Sequence, residues 1–110
     1  MATTVYKVLG QSYPSAQTAT TLYTVPSSNN AVISTVNVCN LSTSNGTFRI
    51  AVRPGGATLA NSHYLAYDTP ISASDSIAMT MGITLGNTDV VTVYTNTGNI
   101  SFSLFGSEIY

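Results

Sequence analysis

Charge is what this sequence has least of. Asp, Glu, Lys and Arg make up 6% of its 110 residues, against roughly 25% in an ordinary soluble protein. Lys7, Arg49 and Arg53 are the only cations and the formal net charge is −1. No dense basic surface can be built from them, so nucleic acid is not an expected partner. Sparse charge also removes much of the electrostatic barrier to association, which favours a surface covered by copies of the chain or by another protein. Cysteine is nearly absent as well: Cys39 stands alone, an intrachain disulfide is impossible, and burial and hydrogen bonds must hold the fold. Cys39 itself is expected as a small buried hydrophobe on a strand. One histidine, His63, and four scattered carboxylates, Asp68, Asp75, Asp89 and Glu108, show no zinc or EF-hand spacing, so neither metal nor cofactor is expected. The start "MATTVYKVLG" lacks the apolar run of a signal peptide or membrane span. Synthesis and folding in a cytoplasm are therefore expected, with no membrane partner.

In place of charge stand 17 Thr, 14 Ser and 9 Asn, together with seven Tyr. Thr and Tyr suit strands, whereas Asn, Ser and Gly suit turns, so the composition points to an all-β protein. The periodicity agrees: short segments alternate apolar and polar residues and are broken by turn clusters about every ten residues. "AVISTVNVCN" (31–40) places Val32, Val36 and Val38 on one face and Ile33 and Cys39 on the other, as in a central strand covered on both sides. "TFRIAVRP" turns Phe48, Ile50 and Val52 one way and Arg49, Ala51 and Arg53 the other. Further strands are read at "TTLYTV", "SHYLAYDT", "DSIAMTMG", "DVVTVYTN" and "ISFSLFGSEI", with Pro54 and Pro70 at strand ends. Residues 1–19 are expected as an N-terminal arm, or a first strand and its connection, and 20–110 as the sandwich domain. The fold predicted is a seven- or eight-stranded antiparallel β-sandwich, jelly-roll-like.

"SHYLAYDTP" (62–70) gathers Ser62, His63 and Asp68 and so invites a hydrolase reading. Along a regular strand His63 shares a face with Leu65 and Tyr67, while Ser62, Tyr64 and Asp68 face away, so a Ser-His-Asp constellation does not form within it. Asp75 and Asp89 precede apolar strands and are read as turn-closing carboxylates. "RPGG" (53–56) lacks the helix and the Gly-Lys-Ser/Thr ending of a phosphate loop, and a Pro-Gly turn accounts for it. No catalytic residue is assigned and the chain is not expected to be an enzyme. Tyr6, Tyr13, Arg49 and Arg53 are the candidate subunit contacts. The tyrosines could alternatively stack on sugars, since a phenol ring has an apolar face and a polar tip.

The segments "TTLYTVPSSNNAVISTVNVCNLS", "TFRIAVRPGG", "HYLAYDTPI" and "TDVVTVYTNTGNISFSLFGSEI", spanning about residues 20–109, resemble a family of small virion structural proteins of tailed bacteriophages. The resemblance carries no catalytic motif. It implies a non-enzymatic, multi-copy β-sandwich subunit that decorates or cements a capsid, or that serves as a tail, neck or baseplate accessory. Its expected partners are itself, as a homo-oligomer with a trimer favoured, and major capsid or tail proteins; its expected location is the virion. The competing reading is a host-surface or carbohydrate-binding module on a phage tail.

Overall fold

The computed structural model describes residues 2–110, and its strands are β1 (Thr4–Ser12), β2 (Thr20–Thr24), β3 (Asn30–Asn40), β4 (Gly46–Arg53), β5 (Tyr64–Ile71), β6 (Ser76–Leu85), β7 (Val90–Thr95) and β8 (Ile100–Ile109). All pairings are antiparallel. β1 pairs with β8, β2 with β7, β3 with β6 and β4 with β5, while β3–β8 and β4–β7 complete the ladders. The first strand thus meets the last and the second meets the penultimate, as in a long hairpin rolled over itself. The result is two four-stranded sheets, ordered β1-β8-β3-β6 and β2-β7-β4-β5. This is the jelly-roll form of the sandwich that the composition and strand spacing predicted.

Residues 4–12 are not a free arm. They form the edge strand of the first sheet, in register with β8 from Thr4 opposite Ile109 to Ser12 opposite Phe102. Residues 13–19 cross from there to the second sheet, where the Gln17 N–H donates to the Thr95 carbonyl at 2.8 Å. The chain is 19 Å across its thinnest dimension, the depth of two sheets about 10 Å apart with their outward side chains.

Between the sheets lies one apolar core. Phe48 of β4 meets Phe102 of β8 edge to face, with ring centroids 6.1 Å apart, and Ile33, Val36, Val38, Ile50, Val91, Val93 and Leu104 are all buried around them. Each such side chain contributes about 1.5–3 kcal/mol through burial. On the β6 side, Ile77, Met79 and Met81, which alternate along "DSIAMTMG", pack against this core from partly buried positions, and Ile83 joins them because β6 runs on to Leu85. β7, with the sequence VVTVYT, is buried at nearly every position, which suits β-branched residues on a strand paired on both sides.

Strict alternation fails in the first sheet, for one physical reason. β3 slips register between Ile33 and Thr35 against both neighbours, and β1 slips between Val8 and Gly10. Against β8 the extra residues are Leu9 on β1 and Ser34 on β3, whereas on the β6 side Met81 and Gly82 stand opposite the single Ser34; a bulge of this kind reverses the facing of the bulged strand beyond it. Ala31 and Ile33 therefore share the core with Val36 and Val38, while Val32 turns outward. The expected grouping of Val32 with Val36 and Val38 is corrected accordingly. Cys39 is likewise only half-buried, on the outward side of β3.

Candidate functional site

The outer face of the second sheet carries the densest set of interacting polar and aromatic side chains. β4 sends Phe48 and Ile50 into the core and so presents Arg49 on the opposite face. On neighbouring β5, Thr69 pairs with Phe48 but Ala66 pairs with Ile50. Two β5 residues, Tyr67 and Asp68, therefore stand opposite the single Arg49, which is a bulge. Asp68 adopts φ 49°, a left-handed conformation that Asp tolerates better than most residues.

This bulge assembles the site. Arg49 Nε donates to Asp68 Oδ1 at 2.6 Å and Nη2 to Oδ2 at 3.2 Å, a bidentate fork matched to the planar guanidinium. The guanidinium carbon lies 4.1 Å from the Tyr67 ring centre and 4.3 Å from that of Tyr94, so an aromatic ring covers it on two sides. Tyr94 is the β7 residue opposite Arg49. Tyr64 meets Tyr67 edge to face at 4.8 Å. The hydrogen bond from Arg49 draws the Asp68 carboxyl below its ordinary range, and the same bond raises Arg49.

Two hollows flank Tyr64. One, of about 250 Å³, is walled by Gln17, Arg49, Leu59, Tyr64 and Tyr94 among others. The other, of about 350 Å³, lies against Asn61, Tyr64 and Tyr67. Beneath them Ala51 and Thr92 are buried, so the outer face is itself covered by the loop between β4 and β5. Arg53 fastens that loop: its Nε donates to Thr92 Oγ1 at 3.1 Å and its Nη1 to the Gly56 and Ala57 carbonyls at 3.3 and 3.0 Å. Asp89 holds the same end of the loop, accepting from the Gly55 N–H, and also accepts from the Gly86 N–H of its own turn, at 2.8 Å each. Asp75 closes its turn through its own backbone N–H, which donates to the Ser72 carbonyl at 3.2 Å, and its Oδ1 accepts from the Ser76 N–H at 2.8 Å.

His63 does not sit on a strand face with Leu65 and Tyr67, as parity predicted. It closes the 3-10 turn Asn61–His63, and its Nδ1 accepts from the Ala60 N–H at 3.1 Å. Leu65 and Tyr67 are exposed, and Ala66 and Ile71 are the β5 residues that enter the core. Asp68, the other polar group of that stretch, is committed to Arg49. Among the described residues, no three His, Cys, Asp or Glu side chains gather in a way that could hold a metal ion, and no helix is long and apolar enough to cross a membrane.

The four candidate contact residues fall on three surfaces. Arg49 and Arg53 share the outer face just described. Tyr6 is 84% exposed on β1, where it lines a shallow hollow of about 530 Å³ with Val8, Val32 and Phe105 on the outer face of the first sheet. Tyr13 lies beyond the end of β1, and its hydroxyl donates to Asn99 Oδ1 at 3.0 Å. The grouping of Arg49 with Tyr67, Asp68 and Tyr94 was not legible in the sequence, because alternation put Tyr67 and Asp68 on opposite faces. The one available signal was a strand-interior Asp, which marks a break in a ladder more readily than a regular position.

The architecture and this surface define an eight-stranded jelly-roll domain with a stacked Arg-Tyr cluster on one outer face. No family model matches the sequence, and no curated protein matches it. A solved structure of infectious bursal disease virus, Gx strain, is similar to the chain over 99% of its length, with a TM-score of 0.53 at 14% identity. The chain spans 31% of the length of the protein it matches there. At that identity the likeness establishes a shared fold, one that occurs in a virus.

Proposed function

We propose that the chain is a non-enzymatic structural subunit of a tailed-phage particle. On this reading it is present in many copies and acts through protein–protein interfaces, as a capsid decoration or cement protein or as a tail-associated accessory. The observation that carries the proposal is the outer face of the first sheet, where Tyr6, at 84% exposure, and Val8, at 48%, border Val32 and Phe105 with Lys7 as the one charged residue among the described residues that line it. An apolar strip left open on a chain with 6% charged residues is suited to association. A standard interface takes roughly 800 Å² from each partner. That is about one-seventh of the 5596 Å² surface of the chain, so one sheet face suffices.

Two further observations support the reading. The jelly roll is shared with a virus structure along nearly the whole chain, and the sequence segments named above resemble phage virion proteins. Self-association, with a trimer favoured, would cover the strip and leave other surfaces for major capsid or tail proteins. Light scattering on the purified protein tests the first part, with a stable closed oligomer as the expected result and a monomer at all concentrations as the contrary one. Electron microscopy of particles labelled on this chain tests the second, with label at regular positions on the capsid or tail expected.

A further inference from the structure

The geometry points to a binding site for a neutral oligosaccharide on the outer face of the second sheet, with Tyr64 dividing two adjacent sugar subsites. Three features of the surface select that ligand. The first is shape: the hollows of about 250 and 350 Å³ share Tyr64 as a wall, and together they fall in the lower half of the roughly 300–1,000 Å³ span of small-ligand sites. A pair of concavities suits two linked rings better than it suits the flat core of a protein interface.

The second feature is chemistry. A hexopyranose ring has C–H groups on its faces and hydroxyls around its rim. Tyr64, Tyr67 and Tyr94 offer aromatic surfaces to the former. Gln17, Asn61 and Arg49 line the hollows and offer amide and guanidinium groups to the latter. Asp68 occupies Nε and Nη2 of Arg49, and Nη1 has no acceptor among the described residues, so donors remain for a hydroxyl oxygen.

The third feature is charge and rigidity. Asp68 cancels the charge of Arg49, which removes the preference for an anionic ligand that a lone arginine would create. The guanidinium is held by two hydrogen bonds and two rings, and tyrosine has few rotors, so little side-chain entropy remains to be lost on binding.

The test is a titration of the full-length ¹⁵N-labelled chain with maltohexaose, cellohexaose and chitohexaose, followed by amide chemical shifts. Millimolar binding of at least one sugar is expected, with shifts at Asn61, Tyr64, Tyr67 and Tyr94. Tyr67→Ala should weaken that binding about tenfold or more, whereas Tyr6→Ala, on the other sheet, should leave it unchanged. Tyr67→Leu, which keeps apolar bulk and is checked for an unaltered thermal melt, separates loss of the ring from loss of the fold. Absence of shifts with all three sugars overturns the inference. So do shifts confined to other surfaces, and so does wild-type affinity in Tyr67→Leu. None of these results bears on the virion reading, which rests on the first sheet.

Discussion

Glu108 is an acid placed where the two sheets meet. It is 6% exposed; its Oε2 accepts from Tyr23 Oη of the opposite sheet at 2.5 Å, and its Oε1 from Lys7 Nζ at 3.2 Å. The Tyr23 bond lowers the Glu108 pKa; burial opposes this, and Lys7 adds to the lowering. Tyr23 is raised, first by burial and then by its bond to Glu108. A lowered carboxylate stabilises the fold above its ordinary value of 4.5, and that contribution is lost as pH falls through the depressed folded value. Asp68, also lowered, adds a second loss as pH falls from its ordinary 3.8. The melting temperature should therefore decline below about pH 4.5, and Glu108→Gln should flatten the upper part of that decline while leaving the Asp68 part. At the alkaline end the sign reverses. A raised tyrosine stabilises fully below its ordinary value of 10.0, and the contribution is lost as the unfolded chain ionises above it. Tyr23→Phe removes that alkaline loss and costs about 1–3 kcal/mol at neutral pH by leaving a buried carboxylate oxygen without its donor, as urea unfolding would measure.

At the scale of the strand, close approach rather than propensity sets the strictest demands. A Cβ on Gly106 would lie 2.0 Å from the Val32 carbonyl oxygen, beside the Ser34 bulge. Gly82 has φ +60° and nothing within 4 Å of where its Cβ would stand. Gly106→Ala must displace the β3 backbone and is expected to cost about 3 kcal/mol or more. Gly82→Ala meets only the left-handed penalty of about 1–2 kcal/mol. Equal losses for the two in chemical denaturation would show that the bulge yields easily. The same bulges decide what the sequence could reveal. Strands on which alternation runs unbroken through the core, such as Phe48 and Ile50 or Phe102 and Leu104, were legible residue by residue. So were the turns at Asp75 and Asp89, each closed by the Asp backbone N–H on the carbonyl three residues before it. Ser34 and Asp68 reverse the facing of residues beyond them, and nothing in a local period reports an extra residue in a ladder. Because the Arg49 cluster is built on the second of these bulges, the fold was readable where the site was not.

At the scale of the molecule, the question is which surface another copy would cover. Removing residues 1–19 is a poor test, because β1 is the edge of the first sheet and its loss uncovers β8 and takes away Leu9 of the core and Lys7, the partner of Glu108. A smaller change isolates the surface. Tyr6→Thr with Val8→Thr puts strand-favouring β-branched residues at both positions of β1 and touches only outward side chains, so the fold should survive with a stability change within about 1 kcal/mol. If the apolar strip is the self-association surface, the double variant should scatter light as a smaller species than the parent, or dissociate at a higher concentration. Truncating two central aromatic or aliphatic contacts commonly costs an interface about 2 kcal/mol or more, which is over tenfold in the dissociation constant. An unchanged mass across the concentration range would place the interface elsewhere. The Arg49 face would then be the next surface to vary, and because Arg49 is already paired with Asp68 and stacked between two tyrosines, a partner would have to dock on the assembled cluster without breaking it.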